Sequence, residues 1–338
     1  VYVNDKVATS ENVQVGDIIV VVRNGSRALI GKHAQIKASM PNTVIGAFMS
    51  GIRSGQSSFV NALLDTSAFE NEIAKNMGAT INQITGYMFS KMEFMVPSEE
   101  EQQQIGQYFS NLDHLITLHQ RKCDETKKLK KFMLQKMFPK KDAKKPEIRF
   151  AGFTDDWEQR KLGEVFQEYS EKNHPELPAL TIIQGGGTVL REKSERKLQY
   201  DKSSLAWYKM VREDDFIVHL RSFEGGLEKS NHNGLISPAY HTFHGDEVDS
   251  RFYYPYFRSY EFIKHKLVPH VYGIRDGRSI DIDGMKTIEI PWTSYEEQKK
   301  IGDYIESLDT LITLHQRKCD ELKEFKKYML QNMFPQKG

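Results

Sequence analysis

Apolar residues recur at alternating steps of four and three along two long, otherwise polar segments, residues 105–139 and 301–335. This spacing is typical of the contact seam of a coiled coil. The predicted seam positions are Ile105, Phe109, Leu112, Ile116, His119 and Cys123 in the first segment and Ile301, Ile305, Leu308, Ile312, His315 and Cys319 in the second. Both segments end at Phe-Pro, because proline disfavours the helical conformation for the residue before it. The pattern predicts two long helices.

The two segments are copies of one motif. Residues 105–139 recur as residues 301–335, 196 positions later, with 25 of the 35 positions identical. A repeat at this domain-sized distance indicates duplication rather than a solenoid. At about 1.5 Å per residue each helix would be about 50 Å long, and neither helix can bury its own seam. The simplest partner is the other copy, so we predict an antiparallel coiled coil with pseudo-two-fold symmetry.

Shorter hydrophobic runs predict mixed α and β structure around these helices. Before the first helix, the predicted elements are a buried strand at Ile18–Val22, a β-rich stretch at Asn42–Met49, a helix over Ser58–Met77 and a strand within Lys91–Pro97. After it, the predicted elements are a strand at 214–222, a helix over 252–267 and a strand at Met285–Pro291, with Trp157 and Leu162 as core anchors. The fold class is therefore α+β.

The duplication extends beyond the helices, since residues 13–23 align with 211–221 at an offset of 198. At that offset Val1 matches position 199, so the 52 residues 147–198 have no counterpart. We expect the first globular domain to be truncated and the true start of the chain to lie before Val1. The predicted division is a partial first domain at 1–98, the first long helix at 99–139, a charged linker at 140–146, a second domain at 147–293, the second long helix at 294–335 and a tail at 336–338.

Composition narrows the function classes. The net charge is +1 with 28% charged residues, so any nucleic-acid binding must come from local basic patches. The two cysteines occupy equivalent repeat positions and do not form a disulfide framework, which favours the cytoplasm. No run approaches 18 apolar residues and no secretory signal is present, so we expect no membrane span.

Motifs of catalysis are absent from the sequence. We find no GxxxxGK[ST], GxGxxG, HExxH or Asn/Asp-Pro-Pro-Tyr/Phe pattern, and Gly185–Gly187 fits a tight turn better than a phosphate loop. His119, Cys123, His315 and Cys319 would approach one another in an antiparallel pair, and a tetrahedral zinc site is one interpretation. A buried cysteine and a hydrogen-bonded histidine filling the seam is the interpretation we favour, and we predict no metal.

Two polar loops follow strands that end in arginine, and a third basic loop lies near residue 275. Arginine and asparagine read base edges, while lysine and serine commonly hold phosphates. The candidate DNA-binding residues are Arg23, Asn24, Ser26, Arg27, Lys32 and His33 in the first loop, Arg221, Ser222, Lys229, Asn231 and His232 in the second, and Arg275 and Arg278 in the third. Ordinary solvated loops are the alternative interpretation.

Four sequence features together resemble the specificity (S) subunit of type I restriction-modification enzymes. They are the repeated LDxLITLHQRKCDE, the helix ends MLQKMFP and MLQNMFP, the domain opening EIRFAGFTDDWEQRKLGEV and the segment GLISPAYHTF. The resemblance covers essentially the whole chain. It implies two target recognition domains, the first truncated here, which read a bipartite sequence in double-stranded DNA and are spaced by the coiled coil.

The resemblance also implies the partners. Two methyltransferase (M) subunits dock on the helices and restriction (R) subunits join them, so S-adenosylmethionine, ATP and Mg are expected on partner subunits and no cofactor on this chain. The chain would be a non-catalytic subunit of a DNA methyltransferase and endonuclease complex. A coiled-coil scaffold or adaptor without DNA reading, and a DNA-modifying enzyme with a cryptic site, are the alternatives.

Overall fold

The computed structural model describes residues 11–77, 82–140, 143–194, 202–219, 226–273 and 279–335. The chain has an α+β fold that divides into two compact units. The first unit contains Val1–Asp124 and Thr313–Gly338, and the second contains Glu125–Ile312. Both divisions fall inside a long helix, so each unit includes part of each helix. None of the helices in the described part of the chain is long and apolar enough to cross a membrane.

The first unit is built on a three-stranded antiparallel sheet. Its elements are β1 (Ile18–Val21), β2 (His33–Gln35), β3 (Met49–Ile52), α1 (Ser57–Leu64), α2 (Ser67–Asn76), α3 (Gly86–Ser90) and the start of α4 (Glu99–Lys136). The strand order is β2-β1-β3, so β1 is central. Alternate residues Ile18 and Val20 are fully buried and pack with Leu64, Phe69 and Ile84, because successive strand residues point to opposite faces.

The second unit contains more strands. Its elements are β4 (Glu158–Lys161), α5 (Leu162–Val165), β5 (Gln167–Tyr169), β6 (Leu180–Ile183), β7 (Gly187–Leu190), β8 (Lys209–Val211), β9 (Phe216–Val218), β10 (Glu228–Lys229), β11 (Gly234–Ile236), β12 (His241–His244), α6 (Ser250–Phe257), a π-helical segment (Glu261–Leu267), β13 (Val271–Tyr272), β14 (Ser279–Ile280), α7 (Ile282–Lys286), β15 (Glu289–Trp292) and the start of α8 (Tyr295–Met333). The main sheet has the order β10-β9-β12-β5, and β15 pairs with β4.

The duplication is visible in the topology of the two sheets. In both, an early strand is central and its two antiparallel neighbours follow it in sequence: β1 lies between β2 and β3, and β9 lies between β10 and β12. The second sheet adds β5 at its edge, and β5 belongs to the stretch without a counterpart in the first repeat. The repeat therefore preserves a three-stranded unit.

The two long helices run antiparallel in each unit. In the first unit, Lys326 binds Asp113, while His315, eleven residues earlier, faces His119. The residue number thus falls along α8 as it rises along α4. In the second unit Lys130 binds Asp309, which continues the same register. The predicted antiparallel coiled coil is confirmed.

Trp157 and Leu162 are buried, with 4% and 0% of their surface exposed, and both belong to the second unit's core. Their prediction as core anchors is confirmed. Seven further buried residues of that core are aromatic or aliphatic side chains from α6, the π-helical segment and β15.

Three sequence expectations in the first unit are wrong in detail. The helix over Ser58–Met77 is two helices, because Thr66 caps the second one by accepting a hydrogen bond from the Phe69 amide at 3.4 Å. The strand expected at Asn42–Met49 begins only at Met49, since residues before it form turns and Asn42 has a φ of 54°. The segment Lys91–Pro97 contains no strand.

In the second unit, the strand expected at Met285–Pro291 is a short helix, α7, followed by β15. Asp281 starts that helix by accepting a hydrogen bond from the Gly284 amide at 3.1 Å. The expected helix over 252–267 begins at Ser250 and is interrupted after Phe257, where the π-helical segment takes over. At the start of α7, a local cap therefore overrides the apolar pattern.

Candidate nucleic-acid interface and helix pairing

The polar loop after β1 is held in place by backbone contacts with residues 82–84. The Ile84 amide donates to the Val22 carbonyl at 2.8 Å, and the Asn24 amide donates to the Asn82 carbonyl at 3.3 Å. The Asn82 side chain donates to the Gly25 carbonyl at 3.0 Å. The loop is therefore a fixed extension of the sheet, which suits a recognition surface that must present side chains in a defined position.

The first unit carries an acid-free basic stretch. No aspartate or glutamate occurs between Asp17 and Asp65, whereas the cationic residues there are Arg23, Arg27, Lys32, Lys37 and Arg53. Arg53 is neutralised by Asp17, to which it donates two hydrogen bonds at 2.8 Å, and these bonds lower the pKa of Asp17 to about 2. The other four cations are exposed, so this stretch presents four cationic side chains to solvent.

The candidates of the first loop differ in what their side chains do. Arg23, Ser26, Arg27 and Lys32 are exposed. Asn24 is half-buried, and its side-chain oxygen accepts a hydrogen bond from the Ser26 amide at 2.9 Å. Its role is thus partly structural.

His33 lies on β2 rather than in the loop. One ring nitrogen lies 3.1 Å from the Gly31 carbonyl and the other 3.4 Å from an Asp65 oxygen, and the side chain is 8% exposed. The placement of His33 among exposed loop residues is therefore corrected, since its imidazole is engaged inside the unit.

Three of the seven candidates predicted for the second unit lie within the described residues. Lys229 lies on β10 and binds Asp214 at 2.7 Å. Asn231 donates to the Gly186 and Thr188 carbonyls at 2.8 and 3.1 Å, which fixes the β6–β7 hairpin. His232 is exposed. Arg221, Ser222, Arg275 and Arg278 lie outside the described residues. DNA contact by any of these residues stays a prediction.

In the first unit, the beginning of the predicted seam packs on two surfaces. Ile105, Phe109 and Leu112 are buried with Leu330 and Phe334 from the other helix. The same cluster includes Phe59, Ala62 and Leu63 of α1. These seam residues therefore pack against the globular part of the unit as well as against the other long helix.

The middle of the seam is formed by matching residues of the two copies. The Nδ1 atoms of His119 and His315 lie 3.1 Å apart, so one ring must donate and the other accept. Burial lowers the pKa of His119, and the neighbouring His315, Lys122 and Lys318 lower it further. A neutral His119 suits this packing.

The two cysteines flank the histidine pair. Both are fully buried and unoxidised. The Cys123 thiol lies 3.7 Å from the Gln316 side-chain oxygen, and the Cys319 thiol lies 3.5 Å from that of Gln120. Within the described ranges, no three histidine, cysteine or carboxylate side chains are placed to hold a metal ion. The geometry thus gives the zinc interpretation no support.

In the second unit, Ile301 and Ile305 belong to the main core and Leu308 is 4% exposed. Ile116 and Ile312, which occupy equivalent positions in the repeat, are half-buried in their respective units. The seam is therefore buried where a helix meets its globular unit and again at Cys123 and Cys319 in its middle.

Charged pairs repeat along with the seam. Lys130 binds Asp309 with distances of 2.5 and 2.6 Å to its two oxygens, in the second unit. The equivalent pair in the first unit, Lys326 with Asp113, is separated by 2.6 Å, and Lys326 also binds Asp65 at 2.7 Å. Each helix thus supplies one acid and one lysine to the pairing.

A second set of apolar residues on the long helices was missed by the sequence analysis. These residues are 40–60% exposed. They are Leu115, Phe325, Tyr328 and Leu314 in the first unit and Leu311, Leu129 and Phe132 in the second. Leu115 and Leu311 occupy the same repeat position, as do Leu129 and Phe325, and Phe132 and Tyr328. The recurrence of these apolar positions in both copies was the sequence signal that could have revealed them. An exposed apolar side chain is unfavourable in water unless a partner covers it.

The comparisons with known proteins agree with this architecture. Residues 3–128 match the type I restriction modification DNA specificity domain. The type I restriction enzyme MjaVIII specificity subunit of Methanocaldococcus jannaschii is 26% identical over 278 residues, covering 76% of this chain and 64% of that protein. A second protein of that organism, assigned to the MjaX specificity subunit, is 26% identical over 263 residues, covering 75% of this chain and 60% of that protein.

A solved structure extends the likeness to the fold. The S subunit of a type I restriction-modification system from M. genitalium superimposes with a TM-score of 0.63 and 16% identity, covering 97% of this chain and 85% of that one. The chain spans less than two thirds of the length of the curated relatives that it matches.

These observations define the class of protein. It is a duplicated α+β protein with two sheet-containing units, each of which includes parts of two antiparallel long helices. Within that class, the chain is similar to the specificity subunits of type I restriction-modification systems, and residues 3–128 match their DNA specificity domain.

Proposed function

We propose that this chain gives a type I restriction-modification complex its DNA sequence specificity, by reading a bipartite target in double-stranded DNA through its two globular units. It acts in the cytoplasm and has no catalytic activity of its own. The paired helices separate the two half-sites, so the non-specific spacer depends on helix length, on the order of one DNA turn between half-site centres.

The observation that carries this proposal is the acid-free basic stretch of the first unit. Arg23, Arg27, Lys32 and Lys37 are exposed, and no aspartate or glutamate occurs in the sequence between Asp17 and Asp65. Cations that neutralise phosphates supply most of the affinity for DNA and make it depend on salt. A chain with a net charge of only +1 gains this property through local segregation of charge.

The recurring exposed apolar residues of the helices support a scaffolding role. Leu115 and Leu311 lie at equivalent positions in the repeat and are 40% and 43% exposed. Two equivalent patches suit two copies of one partner, and we assign them to two methyltransferase subunits, which restriction subunits then join. In this assignment S-adenosylmethionine, ATP and Mg bind the partner subunits.

Co-expression with a cognate methyltransferase subunit tests the whole proposal. Genome-wide mapping of methylated bases should return a motif of two specific half-sites separated by a fixed non-specific spacer. Inserting one heptad into both α4 and α8 should lengthen the spacer and leave the half-sites unchanged. A short continuous motif would contradict the two-reader arrangement.

The basic loop is tested separately on purified chain. Arg27→Ala combined with Lys32→Ala should weaken DNA binding and make it less sensitive to salt. Lys75→Ala combined with Lys128→Ala removes the same charge from exposed helix positions and serves as the matched control. Equal DNA binding by the two double variants would instead favour an adaptor that does not read DNA.

A further inference from the structure

In the second unit, β6 and β7 form a two-stranded antiparallel ribbon that is buried at its base and exposed at its turn. Leu180, the first residue of β6, is 2% exposed and packs in a buried cluster with residues of β8, β9 and β11. At the other end of the strand, Ile183 is 42% exposed, and Gln184, which follows it, is also exposed. The unit therefore holds the ribbon at its base and presents the turn to solvent.

The turn consists of Gln184, Gly185 and Gly186, since Ile183 pairs with Gly187 across the ribbon. The Gly186 amide donates to the Ile183 carbonyl at 3.0 Å. Gly185 has a φ of 80°, a conformation that glycine adopts without strain and that closes a tight turn. Gln184 is thus the only one of the three turn residues that carries a side chain.

A buried carboxylate holds the backbone of this turn in place. Glu228, which is 5% exposed, accepts hydrogen bonds from the Gly185 amide at 2.9 Å and from the Gly187 amide at 3.3 Å. It also accepts a hydrogen bond from the Tyr254 hydroxyl at 2.8 Å and pairs with Arg258. Hydrogen bonds to a carboxylate are stronger than those between neutral groups, so the turn has a defined position on the unit.

The side chains at the turn have the chemistry of a base-reading element. A glutamine amide can donate to and accept from the edge of an adenine at the same time, and an apolar side chain can contact the methyl group of a thymine. Gln184 and Ile183 supply these two groups next to each other at the exposed end of the ribbon. No aspartate or glutamate occurs in the sequence between Glu176 and Glu192, so the ribbon itself carries no charge that would repel phosphates.

We propose that the β6–β7 ribbon enters the DNA major groove at the half-site read by the second unit, where Gln184 reads an adenine and Ile183 contacts a thymine methyl group. The major groove is wide enough to admit a two-stranded ribbon. Glu228 is a positioning residue, because it holds the turn and does not itself contact DNA. This inference rests on the proposed function and assigns base reading to residues outside the three loops predicted from the sequence.

Methylation mapping with the full chain, co-expressed with a cognate methyltransferase subunit, tests the role of Gln184. In the Gln184→Ala chain, we expect the preference for adenine to fall about tenfold or more at one position of one half-site. The other half-site and the spacer should stay unchanged. Gln184→Arg should instead shift the preference at that position from adenine to guanine, since arginine pairs with the O6 and N7 atoms of guanine.

Gln159→Ala provides the matched control, because it removes another exposed glutamine of the same unit, on β4. This variant should leave the whole motif unaltered. Because Gln184 is exposed, its substitutions should also leave thermal unfolding nearly unchanged.

Glu228→Gln tests the positioning role. Glutamine keeps the volume of the side chain but replaces one acceptor oxygen with an NH2 donor, so it cannot accept from all four donors. We expect a weaker adenine preference at the position read by Gln184, with the other positions of the motif retained. A purely structural role would lower methylation at all sites without changing the motif. Tyr254→Phe removes one hydrogen bond to Glu228 but keeps both backbone amides, and should retain the adenine preference.

Two results would overturn this inference and leave the proposed function intact. One is a bipartite motif that is identical for Gln184→Ala and the unsubstituted chain. The other is a uniform loss of methylation with an unaltered motif in Gln184→Ala, which would assign the turn to a phosphate or to a protein partner. A bipartite motif missing from the unsubstituted chain would instead refute the proposed function, and the ribbon's role in it as well.

Discussion

Replacing Lys326 with methionine should open the helix pair of the first unit. The Lys326 ammonium lies 2.6 Å from an Asp113 oxygen and 2.7 Å from an Asp65 oxygen, and its side chain is 15% exposed. One cation therefore joins both long helices and the end of α1. Methionine keeps most of the volume of the lysine but leaves two carboxylates facing each other without a counter-charge.

The cost can be bounded from the burial of the three groups. Removing one partner of a fully buried ion pair costs about 3–5 kcal/mol. Asp65 and Asp113 keep 33% and 25% of their side-chain surface, so water can solvate them in part and we expect about 2 kcal/mol. The duplication supplies a control: Lys130→Met removes the equivalent lysine, whose partner Asp309 is 52% exposed, and should cost about 0.5 kcal/mol.

The buried thiols provide the assay. Cys123 and Cys319 are fully buried in the same unit as Lys326 and are the chain's two cysteines. Their labelling by a thiol reagent requires the helices to open. A loss of 2 kcal/mol in opening free energy should speed labelling by about thirtyfold, since 1.4 kcal/mol corresponds to a factor of ten. Lys130→Met lies in the second unit and should leave the rate nearly unchanged.

The pH dependence has a defined sign. Burial alone lowers the pKa of Lys326, but hydrogen bonds to Asp113 and Asp65 outweigh it and the pKa is raised. Its contribution is therefore complete below the ordinary lysine pKa of about 10.4 and is lost as the pH rises through the higher folded value. Equal labelling rates for Lys326→Met and the unsubstituted chain at pH 8 would refute the role given to this ion pair.

Three further predictions follow from the described contacts. Because the folded pKa of His119 is lowered, the first unit should lose stability as the pH falls below about 6.5; urea unfolding at pH 7 and pH 5 should show a smaller difference for His119→Gln. Glu297→Gln leaves the buried Arg149 without its charge partner and should cost about 3 kcal/mol in thermal unfolding, whereas the equivalent Glu101→Gln in the first unit should change stability by less than about 0.5 kcal/mol. Leu115→Glu and Leu311→Glu should each weaken co-purification with the methyltransferase subunit, while Asp124→Ala, an exposed helix position, should not.

The long helices were predictable because their signal is redundant. A heptad pattern of apolar residues, a proline at the end and a repeat of the motif with 25 of 35 positions identical all indicate the same element. The antiparallel pairing follows from the symmetry of the duplication. The central strand β1 was predictable for a similar reason, since a run of β-branched residues from Ile18 is typical of a buried strand. Local and global preferences agree at these positions.

The parts that escaped prediction depend on contacts distant in sequence. Residues 93–96 have a composition similar to that of β15, yet β15 is a strand because β4 pairs with it. A strand needs a partner that no local pattern can supply. His33 and Lys229 were grouped with exposed candidates by their residue type, although Asp65 and Asp214 engage them. The acid-free stretch between Asp17 and Asp65, by contrast, was visible in the sequence and was overlooked.

The two lysine–aspartate pairs also make each long helix complementary to an inverted copy of itself. A single helix contains both Asp113 and Lys130, and the other contains Asp309 and Lys326 at the same spacing. The aspartate and the lysine therefore occur in the same order and at the same spacing along both helices. One consequence is that two copies of a shorter chain, with one globular unit and one long helix, would retain both lysine–aspartate contacts when their helices pair antiparallel.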